Sequence, residues 1–404
     1  MVEQATLKPL EGIKVLDLSR VLAGPWCTQL LADLGAEVIK IERPGVGDDT
    51  RHWGPPWFGE GEERVAAYFL SCNRGKKSAA IDFSQRAGAE LVRELARSAD
   101  VLVENFRVGG LTKFGLDAET LRAANRRLIY ASITGFGQDG PYAERAGYDF
   151  IIQGMGGMMS VTGLPDGEPG GGPMRAGVAI ADLFTGMYTC VAILAALHGR
   201  ERTGQGAHID MALFDTQLAV MANQASNALV SGSDPPRQGN THPNIVPYQP
   251  FDAADQPIII AVGNDRQFAR LAQLCGRAEW PEDERFASNS ARVANRTEIV
   301  RLIAEVIRAR PAGEWLEQLE RAGIPAGPIN RLSQALCDVQ AQHRGMVRSL
   351  GGIPQVGSPV RMDGERADSD RPPPALGAHT TEILATLALD GDAVARLRSA
   401  RVIG

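Results

Sequence analysis

From residue 13 to residue 134 short apolar runs alternate with stretches of helical periodicity, and this alternation restricts the fold of the 404-residue chain more than any other feature. Residues 13–18, 36–42, 77–83, 101–105 and 128–134 read as strands, with helices at 25–34 and 88–96. Strands separated by helices pair in parallel, so the expected fold class is α/β with a Rossmann-like, doubly wound sheet. Ligands of such sheets lie beyond the carboxyl ends of the strands. Arg20 to Gly24, Arg43, and Asn105 to Arg107 all fall at such ends.

A second feature bears on chemistry. Residues 177–198 read almost wholly as buried helix, yet Asp182 stands at their head. A carboxylate among apolar neighbours loses water, which is expensive unless it is hydrogen-bonded or used. The plain alternative is a helix cap, since Asp is common near helix N-termini.

The remaining composition excludes several classes. A net charge of -6 offers no broad basic field, so nucleic acid is not an expected partner. Five scattered cysteines without a C-x-x-C argue against a disulfide framework or zinc site and suit a reducing cytosol. The six histidines show no ligand spacing, and no metal is expected. The helix of 178–198 approaches transmembrane length but carries Asp182. No charged-then-apolar leader opens the chain, so a cytoplasmic protein without a membrane partner is expected.

Chain length implies two or three domains. Residues 1–205 form the first part of a large domain, and 206–229 continue as a helical linker. A polar, Pro-containing break at 231–240 opens a smaller α/β unit over 230–325. Its strand is expected at 258–262, its helices at 266–274 and 296–309, and its close near 324–328. Residues 326–404 run through Arg371-Pro-Pro-Pro374 to a final helix near 380–389. The Gly- and Met-rich stretch 154–172 reads as mobile loop.

There is no G-x-x-x-x-G-K-[ST], no G-x-S-x-G, no H-E-x-x-H, and no G-x-G-x-x-G after the first strand. What remains is a sheet with Arg and Asn at its ligand edge and one carboxylate in apolar surroundings. That combination suits covalent carboxylate chemistry on an acyl or nucleotide-tailed ligand.

Longer motifs make the resemblance specific. Pro9-Leu-Glu-Gly-Ile-Lys-Val-Leu-Asp-Leu-Ser-Arg-Val-Leu-Ala-Gly-Pro25 and Leu34-Gly-Ala-Glu-Val-Ile-Lys-Ile-Glu-Arg-Pro44 open the chain. Gly45-Val-Gly-Asp-Asp-Thr-Arg51, Val103-Glu-Asn-Phe106, Gly115-Leu116 and Ser132-Ile-Thr-Gly-Phe-Gly137 follow. Thr203-Gly-Gln-Gly206 and Leu376-Gly-Ala-His-Thr-Thr381 come later. Together they resemble the class III CoA-transferases (CaiB/BaiF, the formyl-CoA and carnitine CoA-transferase family) across essentially the whole chain.

The resemblance implies that Asp182 is the nucleophile of a ping-pong transfer through an aspartyl anhydride and an aspartyl-CoA thioester. Coenzyme A is then a substrate, with no tightly bound cofactor. Val21, Leu22 and Ala23 should run past the pantetheine, and Arg20 takes the place of a histidine of the formyl enzyme. Arg43 should meet phosphate, and Ile81, Asp82, Phe83 and Ser84 should lie near the adenine, Ser84 replacing a lysine. Asn105, Phe106 and Arg107 flank the pantetheine, and Lys113 replaces a phosphate-binding arginine. Ala146, Gly147, Tyr148 and Asp149 complete the implied CoA contacts. Racemases on this scaffold use a histidine in a Gly-His-Asp triplet; here it is Gly147-Tyr148-Asp149, and tyrosine is a poor base near neutrality.

Arg51-His-Trp-Gly-Pro-Pro56, Arg145-Ala-Gly-Tyr-Asp149, Ile245-Val-Pro-Tyr-Gln249 and Arg371-Pro-Pro-Pro374 resemble the succinate–hydroxymethylglutarate (glutaryl-CoA) branch. Short dicarboxylic acids are therefore the expected substrates, with monocarboxylates or a non-catalytic CoA-binding role as alternatives. Arg51, His52, Trp53, Arg175, His242 and Tyr248 are the candidates to hold or shape the acid. Lid material is expected at 154–157 or in Asn240-Thr-His-Pro-Asn244. The resemblance further implies an interlocked homodimer whose large domain is built from both chain ends.

Overall fold

Val15, Leu16, Val38, Ile39, Val101 and Leu102 are apolar at consecutive positions because both faces of their sheet are covered. The computed structural model describes residues 8–61 and 64–404. The strands are β1 (Lys14–Asp17), β2 (Glu37–Glu42), β3 (Lys76–Ala80), β4 (Val101–Glu104), β5 (Ile129–Thr134) and β6 (His208–Ala212). They form one sheet in the order β3-β2-β1-β4-β5-β6, and every pairing is parallel.

One face presents Leu16, Ile41, Leu102 and Tyr130 to helix α2 (Arg86–Arg97) and to the C-terminal helices Thr380–Ala385 and Gly391–Ser399. The other presents Val15, Val38, Val103 and Ile133 to helix α1 (Ala23–Asp33) and to a long helix, α4 (Ile180–Thr203). Between them in sequence lies α3 (Asp149–Met155). The chain's last residues also seal the outer edge of β3. The amide of Gly404 donates to Ala80 and that of His379 to Ser78, which blunts an otherwise exposed strand edge.

By length and composition α4 could cross a membrane. Here Ala181, Thr185, Gly186, Thr189, Ile193 and Leu197 are buried on it, in the layer that faces α1 and the sheet. Gly186 sits where the two helices touch: a Cβ there would lie 2.5 Å from the Ala23 carbonyl oxygen. Only glycine permits that approach.

The chain forms two compact units. The larger comprises residues 1–158, 175–231 and 339–404, and the smaller 159–174 and 232–338. This departs from the sequence reading in three places. Residues 206–229 are not a helical linker, because His208–Ala212 is an edge strand followed by helix α5 (Leu213–Val220). The Gly- and Met-rich stretch is not plain loop: α3 and a short helix, Met158–Val161, occupy its start. The rest of that stretch belongs to the smaller unit, which also continues past residue 325 to 338.

The smaller unit has strands β7 (Tyr248–Asp252), β8 (Pro257–Ala261) and β9 (Ala326–Pro328), antiparallel in the order β9-β8-β7. Phe251, Ile258 and Ile260 pack with Phe268, Ile303, Trp315 and Leu319 from helices α6 (Asp265–Leu274), α7 (Arg296–Ile307) and α8 (Ala312–Arg321).

Candidate active site

The carboxyl ends of β1, β4 and β5 and the first turn of α4 enclose a cleft of about 480 Å³. Asp182 lines it together with Arg20, Val21, Leu22, Ala23, Asn105, Phe106 and Arg107. Ala146, Gly147 and Tyr148 form another part of the wall. A second cleft of about 280 Å³ shares Arg20 and Phe106 with the first and is lined by Arg43, Ile81, Asp82, Phe83 and Ser84. The two make a trough from Ser84 to Asp182, and the residues expected at adenine, pantetheine and nucleophile follow one another along it.

Burial, reinforced by the nearby Asp149 carboxylate, pushes the Asp182 carboxyl up to about 7. Leu22 and Ala23 begin α1, whose N-cap has no side-chain hydrogen bond. The start of α1 thus borders the same cleft as Asp182, and a helix N-terminus favours negative charge. A desolvated carboxylate in such a place can attack a carbonyl, and N–H donors at a helix start can stabilise the oxyanion that forms.

Val21 carries the backbone strain of this wall. Its φ of 71° lies in the left-handed region, which a β-branched residue adopts only under constraint. The constraint is visible. The Asn105 amide clasps Arg20, accepting from its N–H at 2.8 Å and donating to its carbonyl at 2.7 Å. The Val21 N–H donates to Asp48 Oδ1 at 3.3 Å. In Val21→Gly, strain relief of about 1–2 kcal/mol should outweigh about 1 kcal/mol of added glycine entropy. Thermal unfolding should thus show stability held or slightly raised, while the looser wall lowers kcat/KM about 10-fold. A marked fall in Tm would show that the left-handed turn is unstrained.

Several expected site residues are engaged elsewhere. Arg51, only 8% exposed, is held by Glu42 through Nε at 2.8 Å and Nη2 at 2.7 Å and lies over the Phe69 ring. It braces the loop after β2, its Nε and Nη2 taken up by Glu42 and the Pro374 carbonyl. His52 Nε2 is 2.9 Å from the Val46 carbonyl. Asp149 is buried and outside the cleft wall. It accepts from the Ala181 N–H at 2.8 Å and from Gln153 at 2.7 Å, anchoring the start of α4. Lys113 lines neither cleft; its ammonium lies over the Phe114 ring, which packs against Phe83. The Arg175 guanidinium lies over Phe150. His242 and Tyr248 pack together on the smaller unit, ring centres 5.2 Å apart.

Trp53 is 45% exposed and meets Tyr68 edge-on. Tyr68 went unnoticed in the sequence. Burial first, then the Asp182 carboxylate, pushes its phenol up to about 12, so it stands protonated within the field of Asp182. It sits in the four-residue helix Ala67–Leu70, too short to leave a periodic signal. Asp48 was overlooked although it lies inside a quoted motif; nothing in Gly-Asp-Asp separates a buried carboxylate from its exposed neighbour.

A profile of CoA-transferase family III matches residues 10–380. The chain is 50% identical over 386 residues to the succinate–glutarate CoA-transferase of Agrobacterium fabrum, covering 94% of this chain and 96% of that one. It is 41% identical over 403 residues to succinyl-CoA:glutarate CoA-transferase of Homo sapiens, covering 98% and 90%. A crystal structure of a CAIB/BAIF family protein from Brucella suis matches with a TM-score of 0.84 at 53% identity, over 94% of this chain and 99% of that one.

Proposed function

Because the chain belongs to CoA-transferase family III and is therefore an enzyme that transfers coenzyme A, we propose that it exchanges CoA between succinate and another short dicarboxylic acid by covalent catalysis on Asp182. Glutarate, itaconate, mesaconate and related acids are the acceptors in view. The names of the relatives support the substrate class. The observation that carries the mechanism is the place of Asp182 in the wall of the trough.

The Asp182 carboxylate attacks the donor thioester carbonyl, forming a mixed anhydride and expelling CoA thiolate. The thiolate attacks the aspartyl carbonyl, releasing the donor acid and leaving an aspartyl-CoA thioester. The acceptor carboxylate attacks that thioester and again frees the thiolate, which then takes the acceptor from the new anhydride and restores Asp182. The N–H groups that open α1 supply the oxyanion donors. The second carboxylate of the acid needs a donor in a dry site. With Arg51 occupied by Glu42, the Tyr68 phenol is the better candidate. CoA is a substrate here, and no tightly bound cofactor enters the scheme.

An interlocked homodimer fits the apolar side chains that α4 leaves in solvent, Met187, Tyr188 and Val191 among them. A cytoplasmic setting suits the free thiols.

Purified enzyme given succinyl-CoA should transfer CoA to dicarboxylates with kcat/KM at least about 10-fold above that for acetate or butyrate, the value of one well-made charged hydrogen bond. Equal or better use of the monocarboxylates would overturn the substrate class.

A further inference from the structure

We propose that Glu104 is a positioning residue for coenzyme A, fixing the segment of Asn105 and Phe106 against the ligand; this rests on the reading of the trough as the CoA site. Glu104 ends β4 and is 6% exposed. Its Oε2 accepts from the Phe106 N–H at 2.7 Å, and Ser132, its register partner on β5, is near enough to favour the charged form of the same carboxylate. Ser132 in turn meets His208 Nε2 on β6 at 3.0 Å. The carboxylate thus fastens the loop after β4 to the end of its own strand, beside the Ser132–His208 pair that joins β5 to β6.

The loop it holds has an unusual number of duties. Phe106 lines both clefts, at the point where the trough changes from one to the other. Its ring packs edge-on against Phe83 at 5.7 Å and lies beneath the Arg20 guanidinium at 5.2 Å. Asn105, between Glu104 and Phe106, clasps the Arg20 backbone on the opposite wall. Moving the Phe106 N–H would shift both walls together. Burial pushes the Glu104 carboxyl up to about 7, with no cation beside it. Its value therefore lies in acceptor geometry more than in charge, and an amide can supply the same geometry. In Glu104→Gln the side-chain oxygen can accept from Phe106. Ser132 can then turn to donate to His208, whose tautomers allow it.

The test uses the full chain, with free CoA binding measured by calorimetry and steady-state kinetics with succinyl-CoA and glutarate. Glu104→Leu orphans the Phe106 N–H and should weaken CoA binding and raise KM for succinyl-CoA by about 10-fold or more. Saturating kcat should fall less than about 3-fold, and KM for glutarate should hold. Glu104→Gln should restore CoA affinity to within about 3-fold. Glu104→Asp keeps the acid but withdraws it from Phe106, so it should weaken CoA binding even if the leucine variant does not fold. Folded Leu or Asp variants that bind CoA like the parent would overturn the proposal. So would a loss confined to kcat. A parent protein that fails to bind CoA would instead sink the reading of the trough, a separate failure.

Discussion

Asp182→Asn should lose CoA transfer by roughly 10³-fold or more while still binding CoA, because an amide cannot form the anhydride. Intact-mass measurement after incubation with succinyl-CoA should show an adduct on the parent, on the peptide of Asp182, and none on the variant. The pH profile gives an independent check. With its carboxyl pushed up to about 7, the nucleophile is half charged near neutrality, so kcat/KM should climb between pH 6 and 8. An ordinary carboxylate would already have levelled off by about pH 5. The sign for stability runs the opposite way. A group whose folded pKa lies above its unfolded value favours the fold below the unfolded value, and that contribution disappears as pH rises through the folded one. Asparagine cannot ionise, so the variant should be about 1–2 kcal/mol more stable than the parent at pH 8, discounted for the water in the cleft. The gain should shrink toward pH 5. Retained turnover, or a profile flat from pH 5 upward, would contradict the nucleophile.

Asp182 was legible because an acid at the head of an apolar helix contradicts its surroundings. The strands β1 to β5 were legible for a related reason: strands covered on both faces are apolar throughout and stand out as runs. β6 escaped because it is an edge strand. His208 and Asp210 alternate with Ile209 and Met211, and the run followed a long helix whose end was marked only by Gly204 in the left-handed conformation. The assembly of residues 159–174 with the smaller unit left no local trace, since the contacts that decide it are distant in sequence. The charged residues misled for a different reason. Arg51 read as a substrate contact and is buried, as are Lys40, Glu42 and Lys76, to which the sequence reading gave no role of their own. Strand periodicity says which side chains share a face, but not that three adjacent strands will turn acids and bases toward one another. Arg51 was given to the substrate as a cation for the free carboxylate, and Glu42 holds it instead.

That buried cage makes the second strong prediction. Lys40 Nζ, inaccessible to solvent, lies 2.9 Å from Asp48 Oδ2 and donates to the Ser19 carbonyl at 2.8 Å, with Asp17 and Glu42 close enough to act on its charge. Burial alone would raise the Asp48 carboxyl. The Lys40 charge and the Thr50 hydrogen bonds override it and hold the group below the usual range. In Lys40→Met the acid keeps its burial and loses its counter-charge, a change that costs about 3–5 kcal/mol in buried pairs. The loss should reach the CoA trough as well, because Asp48 also receives the Val21 N–H. Asp17, Glu42 and Asp48 are all depressed. They support the fold above the unfolded carboxylate range and stop doing so as pH falls through their folded values. Without Lys40, Asp48 takes up its proton at a higher pH and so escapes part of the penalty in mild acid. Urea unfolding should therefore show the largest deficit against the parent at pH 8 and a smaller one at pH 5. A deficit under about 1 kcal/mol, the range of an exposed pair, would mean that water or a rearranged loop reaches Asp48. A deficit independent of pH would mean that the missing lysine acts through packing, not charge.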